Sequence, residues 1–195
     1  MTLPPVTDMS VVRTALETPP GFASREAARF LWQMDEQRRR LLADTRDLDP
    51  AALEWQPRPG MNTIGMLLAH IAFAEVHLVQ VGVLGEAAGH AHDVIGLTEE
   101  EEGLPLAEGA PPSPALSGKP LEYFDDLLAR ARAHSHQVAR TLTDADLDGV
   151  IRRPPRPDGT VREFNRAWVL YHLVEHEAGH HSQILLLKHL RKAMG

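Results

Sequence analysis

Three of the chain's 11 histidines, His172, His176 and His180, recur at intervals of four. At about 3.6 residues per helical turn each step drifts only about 40°, so the three imidazoles share one helix face. Neutral imidazole is a ligand for first-row metals, and three of them stacked on one face do not read as a solvated surface. The same stretch contains His176-Glu177-Ala178-Gly179-His180, a literal H-E-x-x-H string. In that pattern the two histidines hold zinc and the glutamate acts as general base toward bound water. The remainder of such a site is missing. A metzincin-like extension requires Gly at 183 and His at 186, where this chain has Gln183 and Leu186, and no acidic residue follows Glu177. No strand edge is evident to hold a peptide. An H-E-x-x-H zinc peptidase is therefore the weakest reading of the string.

A third ligand is available upstream. His70 lies inside the apolar stripe Leu67, His70, Ile71, Ala74, Leu78 and Val81, whose spacings of three and four place it toward a core. His77 follows two turns later on nearly the same face. Helical bundles build metal sites in their cores from side chains on facing helices, and three imidazoles leave coordination positions open for water or substrate. His172 and His180 are separated by about 12 Å along a helix axis, too far for both to join His176 on one ion. From the residues alone, His172/His176 and His176/His180 are almost equal partners for His70. Gly179 costs about 1 kcal/mol in a helix interior, which argues for a close backbone approach or open space beside an ion and favours the lower pair. His181 points about 100° away from His180 and reads as a group behind a ligand or at the surface. The candidate proton-handling groups are His172 and Glu177. Glu177 is rotated about 100° from His176, which fits a solvated or inter-helix charge better than a base.

Four long helices are required to position these residues. Ser24 is an N-cap before Arg25-Glu26-Ala27, and Phe30, Leu31, Met34, Leu41, Leu42 and Thr45 keep a helical period to about Arg46. Asp49-Pro50-Ala51-Ala52-Leu53 reads as a short capped turn, followed by a Pro-Gly loop to Gly60. Asn62 or Thr63 caps the helix that carries His70. Residues 85–119 lack periodicity and predict a long loop or lid with one short helical turn. Pro120 suits the first turn of a third helix, along which Leu121, Phe124, Leu128, Ala131, Ser135, Val138 and Leu142 step three and four. Asp144-Ala145-Asp146-Leu147 repeats the earlier turn, a proline-rich loop follows, and Val150-Ile151 with Thr160-Val161 could pair as a short hairpin. The pattern of helix, turn, loop and helix, given twice, predicts an all-α four-helix bundle over residues 23–195. Residues 1–22 form a proline-bearing extension, with a short helical turn about Val11, Val12 and Leu16.

Composition narrows the function. The 195 residues carry a formal charge of −7, which argues against a nucleic-acid partner. The basic run Arg38-Arg39-Arg40 is offset by Asp35, Glu36 and Asp44 and predicts a solvated helix face. There is no cysteine, so thiolate ligands, disulfides and a cysteine nucleophile are excluded. No apolar segment reaches 18 residues and no leader pattern precedes the first helix, so the expectation is a cytoplasmic protein without a membrane partner.

Two stretches carry a family resemblance. The first runs from Leu48-Asp49-Pro50 through Trp55-Gln56-Pro57 and Pro59-Gly60-Met61-Asn62-Thr63-Ile64 to Leu68-Ala69-His70-Ile71. The second is Val169-Leu170-Tyr171-His172-Leu173-Val174-Glu175-His176-Glu177-Ala178-Gly179-His180-His181-Ser182-Gln183-Ile184. Together they resemble the DinB/YfiT-like superfamily of four-helix bundle metalloproteins, over roughly Arg25 to Leu190. The resemblance implies His70, His176 and His180 as ligands of a divalent ion, zinc or nickel foremost. The family often has Arg-Gly before the glutamine, where this chain has His181-Ser182, a departure that leaves the ligands untouched. It further implies a homodimer and a small-molecule substrate. The reaction would be that of a transferase using a low-molecular-weight thiol as co-substrate, or of a hydrolase. A bundle that binds metal without catalysis, in a stress response, is the alternative.

Overall fold

Ser24 accepts hydrogen bonds from the backbone N–H groups of Glu26 and Ala27 through its hydroxyl, which starts α1 (Arg25–Thr45) at the expected cap. The computed structural model describes residues 14–104, 106 and 109–194. Asp49 caps α2 (Pro50–Glu54), and Thr63 caps α3 (Ile64–Leu78), which continues without a break as a π-helical segment, Val79–Leu84. After the segment linking the halves come α6 (Leu121–Ala139) and α7 (Asp144–Asp148). The strands β1 (Val150–Arg152) and β2 (Glu163–Asn165) precede α8 (Arg166–Met194). The long helices α1, α3, α6 and α8 pack as a four-helix bundle, α3 lying on α6 and α8 and α1 lying on α8 and α6. The expectation that no apolar segment reaches 18 residues is corrected by Ile64–Leu84, which is long and apolar enough to span a membrane because the π-helical segment extends α3, but 72% of its apolar window is buried within the bundle.

Small residues allow the closest approaches. A Cβ on Gly65 would sit 2.9 Å from the Phe124 ring and 3.3 Å from the Leu53 carbonyl oxygen, so a hydrogen at this position lets α2 and α6 reach α3. The apolar core forms two clusters. One gathers Leu41, Leu67, Leu68, Phe124, Leu128 and Ile184, and the other gathers Leu31, Met34, Val79, Ala139, Leu142 and Leu173. Between them lies a buried layer of charge. Arg38 of α1 donates to Glu177 of α8 at 2.7 Å and to Glu75 of α3 at 2.8 Å. Arg132 of α6 donates to Glu75 at 2.8 Å and to Glu177 at 2.9 Å, and its remaining nitrogen meets Asp35 at 2.9 Å. Along each long helix the charged residue falls between members of the two clusters, Arg38 between Met34 and Leu41, and Glu177 between Leu173 and Ile184. All four helices therefore share one network of paired and hydrogen-bonded charges, the form in which buried charge is tolerated.

Five further sequence expectations change. Arg38 is not part of a solvated face: it is 6% exposed, while Arg39 and Arg40 stay at the surface beside Glu36. A guanidinium can be buried there because two carboxylates and the Leu128 carbonyl oxygen accept its protons. Residues 85–119 are more than a loop with one helical turn. They hold α4 (Ala91–Ile95), α5 (Glu99–Glu102) and a 3-10 turn at Pro114–Leu116, and they bury Ile95, Leu97 and Leu116. These helices are too short to show a period; local caps define them, as in α5, where Thr98 and Glu101 form a reciprocal capping box. Pro120 precedes the first turn of α6 as its N-cap. The hairpin pairs Val150 with Asn165, not with the segment at Thr160, because Arg156, Gly159 and Thr160 hydrogen-bond one another in the tip. Finally, Leu16 is exposed and non-helical, while Val11 and Val12 of the anticipated turn lie outside the described residues.

Candidate metal centre

His70 rises from the face of α3 that packs on α8, the helix that carries His176 and His180 one turn apart. One ring nitrogen from each of the three lies within 4.8 Å of the others, and among the described residues this is the one group of three or more potential ligands so gathered. The His176 and His180 Nε2 atoms are 3.1 Å apart, and the His70 ring centroid is 5.1 Å and 4.9 Å from theirs. All three rings are half-buried.

The outward nitrogens explain the orientation of the inward ones. His70 Nδ1 is 3.1 Å from Glu102 Oε2, and His180 Nδ1 is 3.0 Å from Gln183 Oε1. A carboxylate and an amide oxygen only accept, so each ring carries its proton on Nδ1 and turns an Nε2 lone pair toward the cluster. Protonation is disfavoured at His176 and His180. Burial, then the neighbouring His180, His70 and His172, push the His176 imidazole down to about 3 against the opposing pull of Glu175. Burial and the nearby His70 also lower His180, despite the hydrogen bond it donates to Gln183. Near neutral pH these two rings are uncharged. One Nε2–H bridges His176 and His180 at 3.1 Å, and a divalent cation could replace that proton and draw on one nitrogen from each of the three rings.

The remaining anticipated residues are placed elsewhere. His172 stacks on Trp168 with ring centroids 4.9 Å apart and planes 9° from parallel, its Nδ1 is 2.7 Å from Glu175, and it lies outside the three-histidine group. It still borders the group, its ring centroid 5.9 Å from that of His176. Glu177 has both oxygens committed to Arg38 and Arg132 and is 2% exposed, so the proton-handling role considered for it is corrected to a structural one. His181 is also corrected, from a support or surface group to a buried clamp between α8 and α1, bonded to Gln37 and Asp44 at 3.0 Å each. His77 stacks on Phe73 and packs against Gly89. A Cβ on Gly179 would meet nothing within 4 Å, so of the two reasons advanced for this glycine the open space is the one observed.

Sequence reasoning missed Glu102, which is 2% exposed beneath His70. It was hidden in the acidic run Glu99–Glu102, where four like residues offer no contrast. The cap at Thr98 was the available signal, because a capped single turn must face one of its carboxylates inward. Glu75 and Arg132 were also missed, although each sits at helical spacing within an apolar stripe, Glu75 between Ile71 and Leu78 and Arg132 between Leu128 and Ser135.

His70 and His180 form part of the wall of a cleft of about 570 Å³, which also includes Asn62 and Gln183. The cluster is thus reachable by a small molecule, in the size range of ordinary ligand pockets. Residues 33–184 match the family model described as the DinB superfamily. No curated protein matches the chain.

Proposed function

Because the chain belongs to the DinB superfamily, we propose that it holds one divalent ion on His70, His176 and His180 and acts as a metal-dependent enzyme on a small molecule in the adjoining cleft. The observation that carries this reading is the gathering of one ring nitrogen from each of three histidines within 4.8 Å, two of the rings oriented by Glu102 and Gln183, on the wall of an open cleft. Zinc or nickel held there would act as a Lewis acid, lowering the pKa of a bound water or thiol toward neutrality.

The chain's own residues then have separable tasks. Glu102 fixes the His70 ring from behind and Gln183 fixes His180. His172, held by Glu175, is the nearest imidazole outside the ligand set and the proton acceptor in this proposal. With no cysteine in the chain, a thiol reaction draws its sulfur from a low-molecular-weight co-substrate, whereas hydrolysis draws its nucleophile from water. The rival role, an ion that only staples α3 to α8, is supported by ligands on both helices. The open cleft beside the cluster favours catalysis over that role. A homodimer belongs to the same proposal, with the exposed Trp168 and Tyr171 of α8 as a face for a second copy.

Elemental analysis of untagged protein, grown with added zinc and nickel, tests the metal. About one equivalent is expected, and less than about 0.2 equivalents of any divalent metal sinks the proposal. With the metal established, assays of thiol transfer and ester hydrolysis on the wild type and His70→Ala distinguish enzyme from staple.

A further inference from the structure

The cleft beside the three histidines has a one-sided chemistry. Met61, Leu67, Leu104, Leu106, Leu186 and Leu187 make up most of its wall. Its polar side chains are Asn62, His70, His180 and Gln183, and of these Gln183 already has its amide oxygen turned to His180. Among the described residues no lysine, arginine or carboxylate lines it. Leu186 is 56% exposed at this wall. The described residues of this cleft of about 570 Å³ offer no charged partner to a carboxylate, phosphate or ammonium away from the imidazole cluster. The cleft gains free energy instead from each apolar group that displaces water from the leucines.

We propose that this cleft selects a substrate with an uncharged, apolar body and a single metal-seeking polar head, the head at the three histidines and the body along Leu104, Leu106, Leu186 and Leu187. This rests on the metal-site reading and narrows its substrate class. Among the described residues, a polyanionic molecule finds no cationic side chain along this wall, and a many-hydroxylated one finds only the amides of Asn62 and Gln183 outside the histidines. The three histidines supply affinity for the head, and the leucines discriminate among bodies.

The test uses untagged full-length protein loaded with zinc and a series of linear alkyl hydroxamates from acetohydroxamate to octanohydroxamate, followed by isothermal titration calorimetry. Binding should tighten about three- to four-fold per added methylene until the cleft is filled. Capping the octyl chain with a terminal carboxylate should cost about ten-fold or more, because the ionised end has no partner there. Leu106→Ser and Leu186→Ser should flatten the series while leaving acetohydroxamate and zinc binding at wild-type strength. A flat series on protein that binds zinc and acetohydroxamate overturns the apolar-substrate proposal and leaves the metal site standing. Zinc-loaded protein that binds no hydroxamate overturns it as well, by showing that the cluster does not open to the cleft. Protein that takes up no zinc removes the metal reading itself, and the substrate proposal falls with it.

Discussion

Replacing Glu102 by alanine should weaken zinc binding about 10- to 100-fold. The carboxylate is 2% exposed and accepts from His70 Nδ1 at 3.1 Å, and among the described residues this nitrogen has no other acceptor. When the opposite nitrogen binds a cation the ring becomes more acidic, so the bond from Nδ1–H to a charged acceptor strengthens on metal binding. The gain from a charged acceptor is about 1.5–3 kcal/mol, and about 1.4–2.7 kcal/mol of it expressed in metal affinity gives the 10- to 100-fold range. Glu102→Gln keeps an acceptor and loses the charge, so its effect should sit near the lower end, about ten-fold. Affinity is read by competition with a chromogenic chelator on untagged protein, with circular dichroism confirming that α5 and the bundle remain folded. Glu100→Ala is the control: this residue is exposed on the same short helix and should leave affinity unchanged. A Glu102→Ala dissociation constant within about two-fold of wild type would refute the orienting role. Equal losses in both variants would reduce the effect to general electrostatics.

His70→Ala should abolish measurable zinc binding, whereas His172→Ala should shift it by less than about three-fold, since His172 is stacked on Trp168 outside the cluster. Unchanged affinity in the first variant, by the same chelator competition, would rule out a cross-helix site. Glu177→Gln should lower the melting temperature by about 10 °C, from the roughly 3–5 kcal/mol lost when one member of a buried ion pair is removed. It should leave zinc affinity within about two-fold of wild type, and a Glu177→Gln protein of wild-type stability with much weaker zinc binding would restore its place at the metal. Acid should unfold the bundle through Glu75. Burial raises this carboxyl, but the Arg132 and Arg38 guanidiniums and bonds from Arg132 and Ser135 outweigh it and bring the group down from 4.5 to about 2. The unfolded chain therefore binds this proton first, so the contribution is complete above about pH 4.5 and falls away as pH drops toward 2. The loss is on the order of 3 kcal/mol. Urea titrations across that window should show the decline, and a flat stability would show that the charged layer does not respond to acid.

The helices were legible because their signals are local. Ser24, Asp49 and Thr63 cap the elements that follow them, and the three-four stripes from Leu67 and Leu121 each face a core. The linking segment was illegible for the converse reason. Helices as short as α4 and α5 have no period to detect, and what holds them is burial of Ile95, Leu97 and Glu102 against partners far away in sequence. The hairpin showed its existence but not its register, since the tip that fixes it is built from backbone hydrogen bonds among Arg156, Gly159 and Thr160.

By itself the sequence determined that the imidazoles at 172, 176 and 180 would share one face, because their spacing is a property of any α-helix, and that His70 would sit in an apolar stripe. The folded α8 buries Glu177 and His181 instead and leaves those three rings on its flank. The sequence could not choose between the two pairs on the last helix, which differ by a single turn of the same face. That choice depends on how far α8 slides along α3. In the folded chain His70 meets His176 and His180, with Glu102 and Gln183 turning two of the rings, while His172 rests on Trp168. The fate of Glu177 was decided in the same way. Its helical angle said only that it points elsewhere; the tertiary structure supplied Arg38 and Arg132 there, and so made a motif glutamate into part of the bundle's charged layer.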